Sequence, residues 1–521
     1  MTTSVENLEV LQALNQMPDC LPPITEQVVA SDERYVIYRP DLDCDNTVLP
    51  KPYPDQYVDH WDENHVKMPN SPENIVITDG KLAQTDQTYW MVITESLSAE
   101  IKSAEQFEAA IKAYNPDIGD KKFDVFETFV TNICNDRERD ELFNEIIPQM
   151  SRLALSLPKI VTQSIPLLRQ RQNRTLFLSQ QQCACLLANS FFCTFPQRNQ
   201  EIQATNYNLP VANFFSLFTN YGQSGAYSTT KLQKLRCIVN YFRRVLRNMP
   251  TGVVSFERRY LQIDDLPDWS QSTKTIRKLV PMTDGLIETA GSGFMQIDFA
   301  NKNIGGGVLS CGCVQEEIRF VINPELLVAR LFTEQQLCTE AVHIYGTEQF
   351  NKYSGYSMTF KWTGDYVDQT PSDQWRRRTT RIVAIDAIYF SSDNKHLQYG
   401  REIFERELNK AFAGFLDRDT DEPEYLSAIA SGNWGCGAFN GDPELKALVQ
   451  LMAVSQVNRD LVYFTFDNPQ LKTRLDNINK FIVDKNINVG QLHRALVDYD
   501  NYRNQVSVKN CKNLFDFIIE F

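Results

Sequence analysis

Two rhythms of apolar residues divide the chain. Between about residues 95 and 250 apolar positions recur three and four apart, the spacing of one helix face; after about residue 285 they bunch into short runs of strand length. In the first region Ser103-Ala-Glu-Gln106 reads as a capping box that opens FEAAIKAY. DELFNEIIPQMSRLALSLP continues the helical spacing. Ser179-Gln-Gln-Gln182 is a second capping box, and Cys183, Leu186, Leu187, Ser190 and Phe191 after it form a mostly buried helix face ending near Cys193 and Thr194, before Pro196. Leu232, Leu235, Val239, Phe242 and Leu246 mark another amphipathic helix. Residues 91–260 are therefore expected to form an all-α accessory domain.

In the second region FMQIDFA (294–300), AVHIYG (341–346), RIVAIDAIYF (381–390), LSAIAS (426–431) and LVYFTF (461–466) have strand length and mostly run into Gly-rich or polar turns. QEEIRFVI, REIFERELNKAFAGFL and PELKALVQLMAVSQV lie between them and read as helices. Strands alternating with helices predict an α/β domain over residues 261–521, with a parallel or mixed sheet and ligands at the carboxyl ends of the strands. Residues 1–90 are rich in Pro, Asp and Asn; KPYPDQY and KMPNSPEN read as extended segments wrapped over the body.

Composition narrows the class. Apolar residues are 42% and charged residues 23% of 521, ordinary globular values that exclude disorder, collagen and coiled coil as the main character. The net charge of −14 argues against attachment to DNA by bulk charge, so an anionic ligand has to be held by backbone N–H groups and local Arg. No run approaches 18 uninterrupted apolar residues, and MTTSVENLEV lacks the basic start of a secretory signal; the expected location is nucleus or cytoplasm, not secreted and not in a membrane. The twelve cysteines are too sparse for a disulfide scaffold, their closest pairs are C-x-C, and no HExxH or opposed CxxC pairs occur. His60 and His65 are close in sequence without a metal-site signature, so neither metal nor cofactor is assigned.

Two glycine loops carry candidate chemistry. Gly305-Gly306-Gly307 follows the FMQIDFAN run. Gly432-Asn-Trp-Gly435-Cys-Gly437-Ala-Phe-Asn-Gly441 follows LSAIAS, with Asp442 as a helix N-cap and Pro443 at the first helical position. Strand, glycine loop and helix start together make an anion cradle. Neither loop matches a P-loop or a clean GxGxxG, and glycines that simply permit tight turns are the plain alternative. Gln315-Glu316-Glu317 comes shortly after the first loop. Adjacent glutamates at a helix start commonly just complement the dipole. Like-charge repulsion from Glu316, Asp298 and a bound diphosphate would instead favour a proton on Glu317, as glycosidic cleavage requires.

GGGVLSCGCVQEEIRF, with seven residues from Val308 to Val314 between GGG and QEE, resembles the signature of the poly(ADP-ribose) glycohydrolase family. GLIETAGSGFMQIDFAN, ELNKAFAGFL, SGNWGCGAFNGD and VYFTF resemble further family blocks. So do SQQQCACLLANSFFCTFP, YFRRV, PTGVVSF and WDENHVKMP, and the resemblance spans roughly residues 50 to 500. It implies a macrodomain-type mixed sheet flanked by helices, carrying the helical accessory domain. The implied reaction is hydrolysis of ribose–ribose O-glycosidic bonds in poly(ADP-ribose), releasing ADP-ribose, mainly from the chain end.

Carried onto this chain, the resemblance makes Glu317 the general acid and then base. It puts Glu316 and Asp298 on the ribose hydroxyls, and Asn301 and Gln315 in orienting roles. Glu288, with the backbone at Ile287, meets the adenine edge. Tyr356 closes over the phosphates; Asn433, Trp434, Gly435, Cys436, Gly437 and Ala438 cradle the diphosphate; Phe439 and Phe466 pack on ribose and adenine. Phe466 as core, Asp298 and Asn301 as turn caps, and Tyr356 as exposed loop filler are the competing roles. Arg243-Arg244 and Arg376-Arg377-Arg378 read as solvated surface. Asn440 and Asp467 depart from the family pattern, which carries glycine there. The implied partner is poly(ADP-ribose) on modified proteins, acted on by a monomer. A non-catalytic ADP-ribose reader, and an interaction scaffold working through the helical half, are the alternatives.

Overall fold

The computed structural model describes residues 5–19, 34–36, 47–75, 77–78, 81–82, 87–196, 208–220, 225–417, 422–506 and 511–520. One mixed sheet organises them. Its strands are β1 (Arg34–Val36), β2 (Arg174–Ser179), β3 (Val253–Tyr260), β4 (Leu279–Met282), β5 (Met295–Ala300) and β6 (Glu340–Tyr345); a separate hairpin follows, β7 (Asn351–Ser354) and β8 (Lys361–Asp365); then come β9 (Arg381–Asp386), β10 (Ile429–Gly432) and β11 (Leu461–Phe464). The nine-stranded order is β1-β2-β3-β6-β9-β5-β10-β11-β4. From β9 to β4 every pairing is parallel, whereas β2–β3, β3–β6 and β6–β9 are antiparallel.

The central strands read as unbroken apolar runs because both faces of the sheet are covered. Alternate residues of β9 go opposite ways: Ile382 and Ala384 into one core cluster, Val383 and Ile385 into another. The first cluster is built with helices α1 (Gln180–Phe191), α2 (Gly225–Arg247) and α3 (Gln315–Ile322). The second is built with α4 (Arg401–Phe415) and α5 (Pro443–Gln456) and with the helices Pro469–Asp484 and Val489–Gln505. Among the described residues no helix is long and apolar enough to cross a membrane.

The five strand runs and the three intervening helices predicted for the second half are all present, α3 with the bounds QEEIRFVI. The mixed sheet and the helical N-terminal half are as expected, with one correction: residues 91–260 are not all-α. They send β2 and β3 into the common sheet, where β3 pairs with β6 along six residues. VVSFERRY lacks polar alternation because most of it is buried, Arg258 included, so its strand character was hidden. LVPM is a further strand, too short and too interrupted by proline to stand out as an apolar run. Pro281 cannot donate to a ladder, and β4 is tolerated as an edge strand, paired among the described residues only with β11.

The Ser179 capping box forms reciprocally. At Ser103 only half forms, since the Gln106 side chain takes the Lys102 N–H instead. The first of these helices ends at Phe191, two residues short of expectation, where Cys193 turns to φ 55°. Of residues 1–90, Val5–Gln12 is helical; Leu11 and Leu14 pack with Val280, Met282 and Phe294. Residues 47–75 form no helix and bridge to residues 163 and 166 through Val58 and His65.

Candidate active site

Parallel strands β5, β10 and β11 end together, and their carboxyl ends open onto a cavity of about 310 Å³. The loop after β10 forms one wall. Its own turns use the N–H groups of Trp434, Cys436, Asn440 and Gly441. Among the described residues the N–H groups of Gly435, Gly437 and Ala438 donate to no protein acceptor. Gly435 has φ 73°, and a Cβ there would meet Ala387 at 2.6 Å. The loop closes on Asp442, which caps α5 through the Leu445 N–H with Pro443 next, as the sequence predicts. Free amides facing a cavity beside a helix start make an anion cradle.

The opposite wall comes from α3 and the segment before β5. Ile287, Glu288, Gln315, Tyr356, Asn433, Phe439 and Phe466 all line the cavity with Trp434–Ala438. Phe466 is 47% exposed, so it is not core; it stands 5.0 Å from the Tyr356 ring. Tyr356 lies against the Gln315 backbone and within electrostatic reach of Glu317, and burial pushes its hydroxyl up to about 12. Gln315 uses its amide like a further ladder residue: Phe299 N–H donates to Oε1 at 2.8 Å and Nε2 donates to the Ile297 carbonyl at 3.1 Å. Trp434 contributes through its backbone, because its fully buried indole donates to the Ile385 carbonyl.

Asp298, Asn301, Gly305, Gly306, Gly307, Glu316 and Glu317 do not line the cavity themselves; they form a second group, on the segments that hold the cavity-lining Ala300, Val314 and Gln315. The glycine loop turns its amides onto the two glutamates. Gly305 N–H and Asn301 N–H donate to Glu316 at 2.6 and 2.9 Å. Gly307 N–H and Val314 N–H each donate to Glu317 at 2.9 Å. Positive φ at Gly305 and Gly306 makes this inward turn possible. Arg330 donates from outside to the Ile304 and Gly306 carbonyls at 2.7 and 3.1 Å.

Asp298 is 1% exposed, and neither of its carboxylate oxygens has a hydrogen-bond partner among the described residues. Burial first, then the Glu317 charge, pushes its carboxyl well above the usual range. Burial and Asp298 raise Glu316 likewise, against the pull of its two amide donors. Asn301 does cap the turn, accepting the Asn303 N–H at 2.9 Å.

The two departures from the family pattern explain themselves. Asn440 and Asp467 stand at φ 58° and 56°, the left-handed region that glycine fills without strain. Asn440 also donates to the Phe390 carbonyl at 2.8 Å.

Sequence reading missed three contributors. The Tyr353 hydroxyl donates to Glu288. Arg319, one α3 turn from Gln315, is a buried cation in the field of Glu288, Asp368 and Asp298. Arg330 braces the loop. None has a motif; each is recruited by packing. The two arginine clusters are not simply solvated surface: Arg244 and Arg378 are half-buried partners of Glu348. His60, Asp62 and His65 bring donor atoms within 4.8 Å on residues 47–75 and do not line the cavity.

Two family models match the chain. Residues 266–473 match the macro domain fold of poly(ADP-ribose) glycohydrolase, and residues 134–258 match its helical domain. Poly(ADP-ribose) glycohydrolase 1 of Arabidopsis thaliana is 34% identical over 451 residues, covering 71% of this chain and 80% of that protein. Poly(ADP-ribose) glycohydrolase 1 of Caenorhabditis elegans is 30% identical over 393 residues, covering 73% of this chain and 47% of that protein. With a cradle, a glutamate-gripping glycine loop and these matches across both halves, the chain belongs to the poly(ADP-ribose) glycohydrolase family.

Proposed function

We propose that this chain hydrolyses the ribose–ribose O-glycosidic bonds of poly(ADP-ribose) and releases ADP-ribose. The observation that carries this reading is the buried carboxyl trio of Asp298, Glu316 and Glu317 beside a cradle of unused amides. A site that only binds ADP-ribose gains nothing from burying three acids next to the ribose.

In this mechanism the free amides of Gly435, Gly437 and Ala438 hold the diphosphate. Ile287 and Glu288 meet the adenine edge; Phe466 offers it a face, and Phe439 packs on ribose. Tyr356 covers the phosphates. The unpartnered Asp298 and raised Glu316 accept hydroxyls of the ribose at the scissile bond, which satisfies an otherwise costly buried carboxyl. Asn301 and Gln315 hold that ribose and the loop in register. Glu317 gives its proton to the departing ribose oxygen as the C1–O bond breaks. The oxygens of the Asp298 and Glu316 carboxyl groups stabilise the oxocarbenium-like transition state. Glu317, now a carboxylate, takes a proton from the attacking water, whose oxygen completes C1. The substrate is poly(ADP-ribose) on modified proteins in nucleus or cytoplasm, engaged by a monomer without direct DNA contact.

The test is ADP-ribose release from purified poly(ADP-ribose) by wild type beside Glu317→Gln, with ADP-ribose binding measured on both. The expected result is turnover by wild type, a loss of about 10²–10⁴-fold in the variant and binding retained by both. Wild type that binds without cleaving makes the chain a reader. Wild type that does neither leaves the scaffold reading.

A further inference from the structure

The glycine loop has a second cationic brace, and it comes from the other half of the molecule. With amides turned in toward Glu316 and Glu317, five carbonyls of residues 304–312 turn out to two cations. Arg330 takes two of them. Three more, those of Val308, Ser310 and Gly312, converge on Nζ of Lys234 at 2.8, 2.7 and 2.7 Å. Lys234 lies on α2, in the helical half, and is 0% exposed. An ammonium has three N–H donors, and all three are used on this one loop. Among the described residues it makes no ion pair. Burial of a charge without a salt-bridge partner is costly, and a methionine would fill the same space without that cost. What the charge supplies is the shape of the loop.

We infer that Lys234 is a positioning residue: from the helical half it holds the loop in the form that keeps the Gly307 and Val314 N–H groups on Glu317, so the hydrolytic site is assembled from both halves of the chain. The inference rests on the function proposed above. Without Lys234, three carbonyls, one buried and two part-buried, lose their donors and the 308–312 segment reorients to find others. Gly307 and Val314 flank that segment, so Glu317 loses its fixed placement while the diphosphate cradle, on a different loop, is untouched. Lys234 also adds a positive field beside Glu317.

A pH signature follows. The groups facing Lys234 are Cys313, Glu317 and Cys311, with Lys231 and Cys237 on its own helix. Burial lowers its ammonium to about 8, partly offset by Cys313 and Glu317. Below that pH the three donors are present. Above it the amine has two N–H groups and a lone pair aimed at a carbonyl, so the loop loosens.

The experiment uses the full chain as wild type, Lys234→Met and Lys234→Arg. It reads kcat and KM on poly(ADP-ribose), the Kd of ADP-ribose, and hydrogen exchange of residues 305–314. Lys234→Met is expected to lower kcat on the order of 10²-fold, since a misplacement of about 1 Å costs that much. Its ADP-ribose Kd stays within about 3-fold, as a cradle on a separate loop requires. Gly307 and Val314 amides exchange faster, Lys234→Arg recovers part of kcat, and the wild-type fall in kcat above pH 8 is absent from the residual activity of Lys234→Met. A Lys234→Met kcat within about 3-fold of wild type, well short of that loss, with unchanged loop exchange overturns the inference. Wild type that fails to release ADP-ribose refutes the proposed reaction instead, and loop exchange in Lys234→Met still decides the role of Lys234.

Discussion

Gly306 lies directly against Glu317. A Cβ built on Gly306 would stand 2.6 Å from Glu317 Oε1 and 2.7 Å from Glu316 Oε2, on a backbone at φ +45°. The closeness of loop and carboxylates is thus a property of the missing side chain. Gly312 has the same relationship, with its would-be Cβ 2.5 Å from Glu317 Oε1.

Gly306→Ala pushes both carboxylates out of their amide contacts. Expected is a loss of kcat on the order of 10²-fold, the scale of a misplacement of about 1 Å. ADP-ribose binding is largely retained because the diphosphate loop is separate. Poly(ADP-ribose) hydrolysis against isothermal titration with ADP-ribose checks this; a fully active variant contradicts the loop geometry.

Phe466 and Trp434 are both aromatic and both beside the cavity, yet they are expected to fail differently. Phe466 is half exposed, so Phe466→Ala leaves the melting temperature unchanged and weakens ADP-ribose binding by about 1–3 kcal/mol, the range of a lost stacking surface. Trp434 is fully buried beneath the Lys446 ammonium, 4.2 Å from the ring centroid. Trp434→Ala costs about 3–5 kcal/mol of stability. Thermal unfolding and titration of the pair separate the two roles.

Asp298 couples activity to pH and stability. Its carboxyl is raised by burial and by Glu317, so the folded state favours the protonated form. The stability this contributes is complete below the ordinary value of 3.8 and is lost as pH rises through the raised value. Asp298→Asn removes that loss. The variant is expected to be more stable than wild type at pH 8 by about 1–3 kcal/mol, the cost of an unsatisfied buried polar group, with the margin shrinking toward pH 5. Its turnover falls. Urea denaturation at the two pH values measures this, and a margin that grows toward acid pH sinks the account.

Glu340 holds β3 to β6 from within. It pairs with fully buried Arg258 and accepts the Arg171 and Leu337 N–H groups at 2.6 and 2.7 Å. Glu340→Ala leaves Arg258 buried and charged, at an expected cost of about 3–5 kcal/mol. Because the pair joins a strand of the helical half to the α/β half, both halves should unfold together. Far-UV circular dichroism alongside Trp fluorescence checks that; separate transitions would mean the two halves fold independently.

Much of the site is legible in the residues. Glycines, a helix N-cap and paired glutamates announce themselves because each meets a local demand: φ > 0, an orphan N–H, a helix dipole. The motif order from GGG through QEE to NWGCG then places acids and cradle on one sheet. Arg330, Arg319 and Lys234 announce nothing. The work of Arg330 and Lys234 is done across 24 or more residues of sequence, on carbonyls that only folding brings near, and that of Arg319 on charges carried by other elements.

The amino-acid sequence by itself determined the alternation of strands and helices from residue 285 onward, the two glycine loops and the acids, because hydrophobic period and turn chemistry act over a few neighbouring residues. Tertiary structure alone decided that residues 174–179 and 253–260 join that sheet, that Phe466 is exposed while Trp434 is core, and that a lysine of the helical half grips the loop bearing the glutamates. The reason is physical: burial, strand partners and the field at a carboxyl are sums over atoms distant in sequence, and no local pattern encodes them.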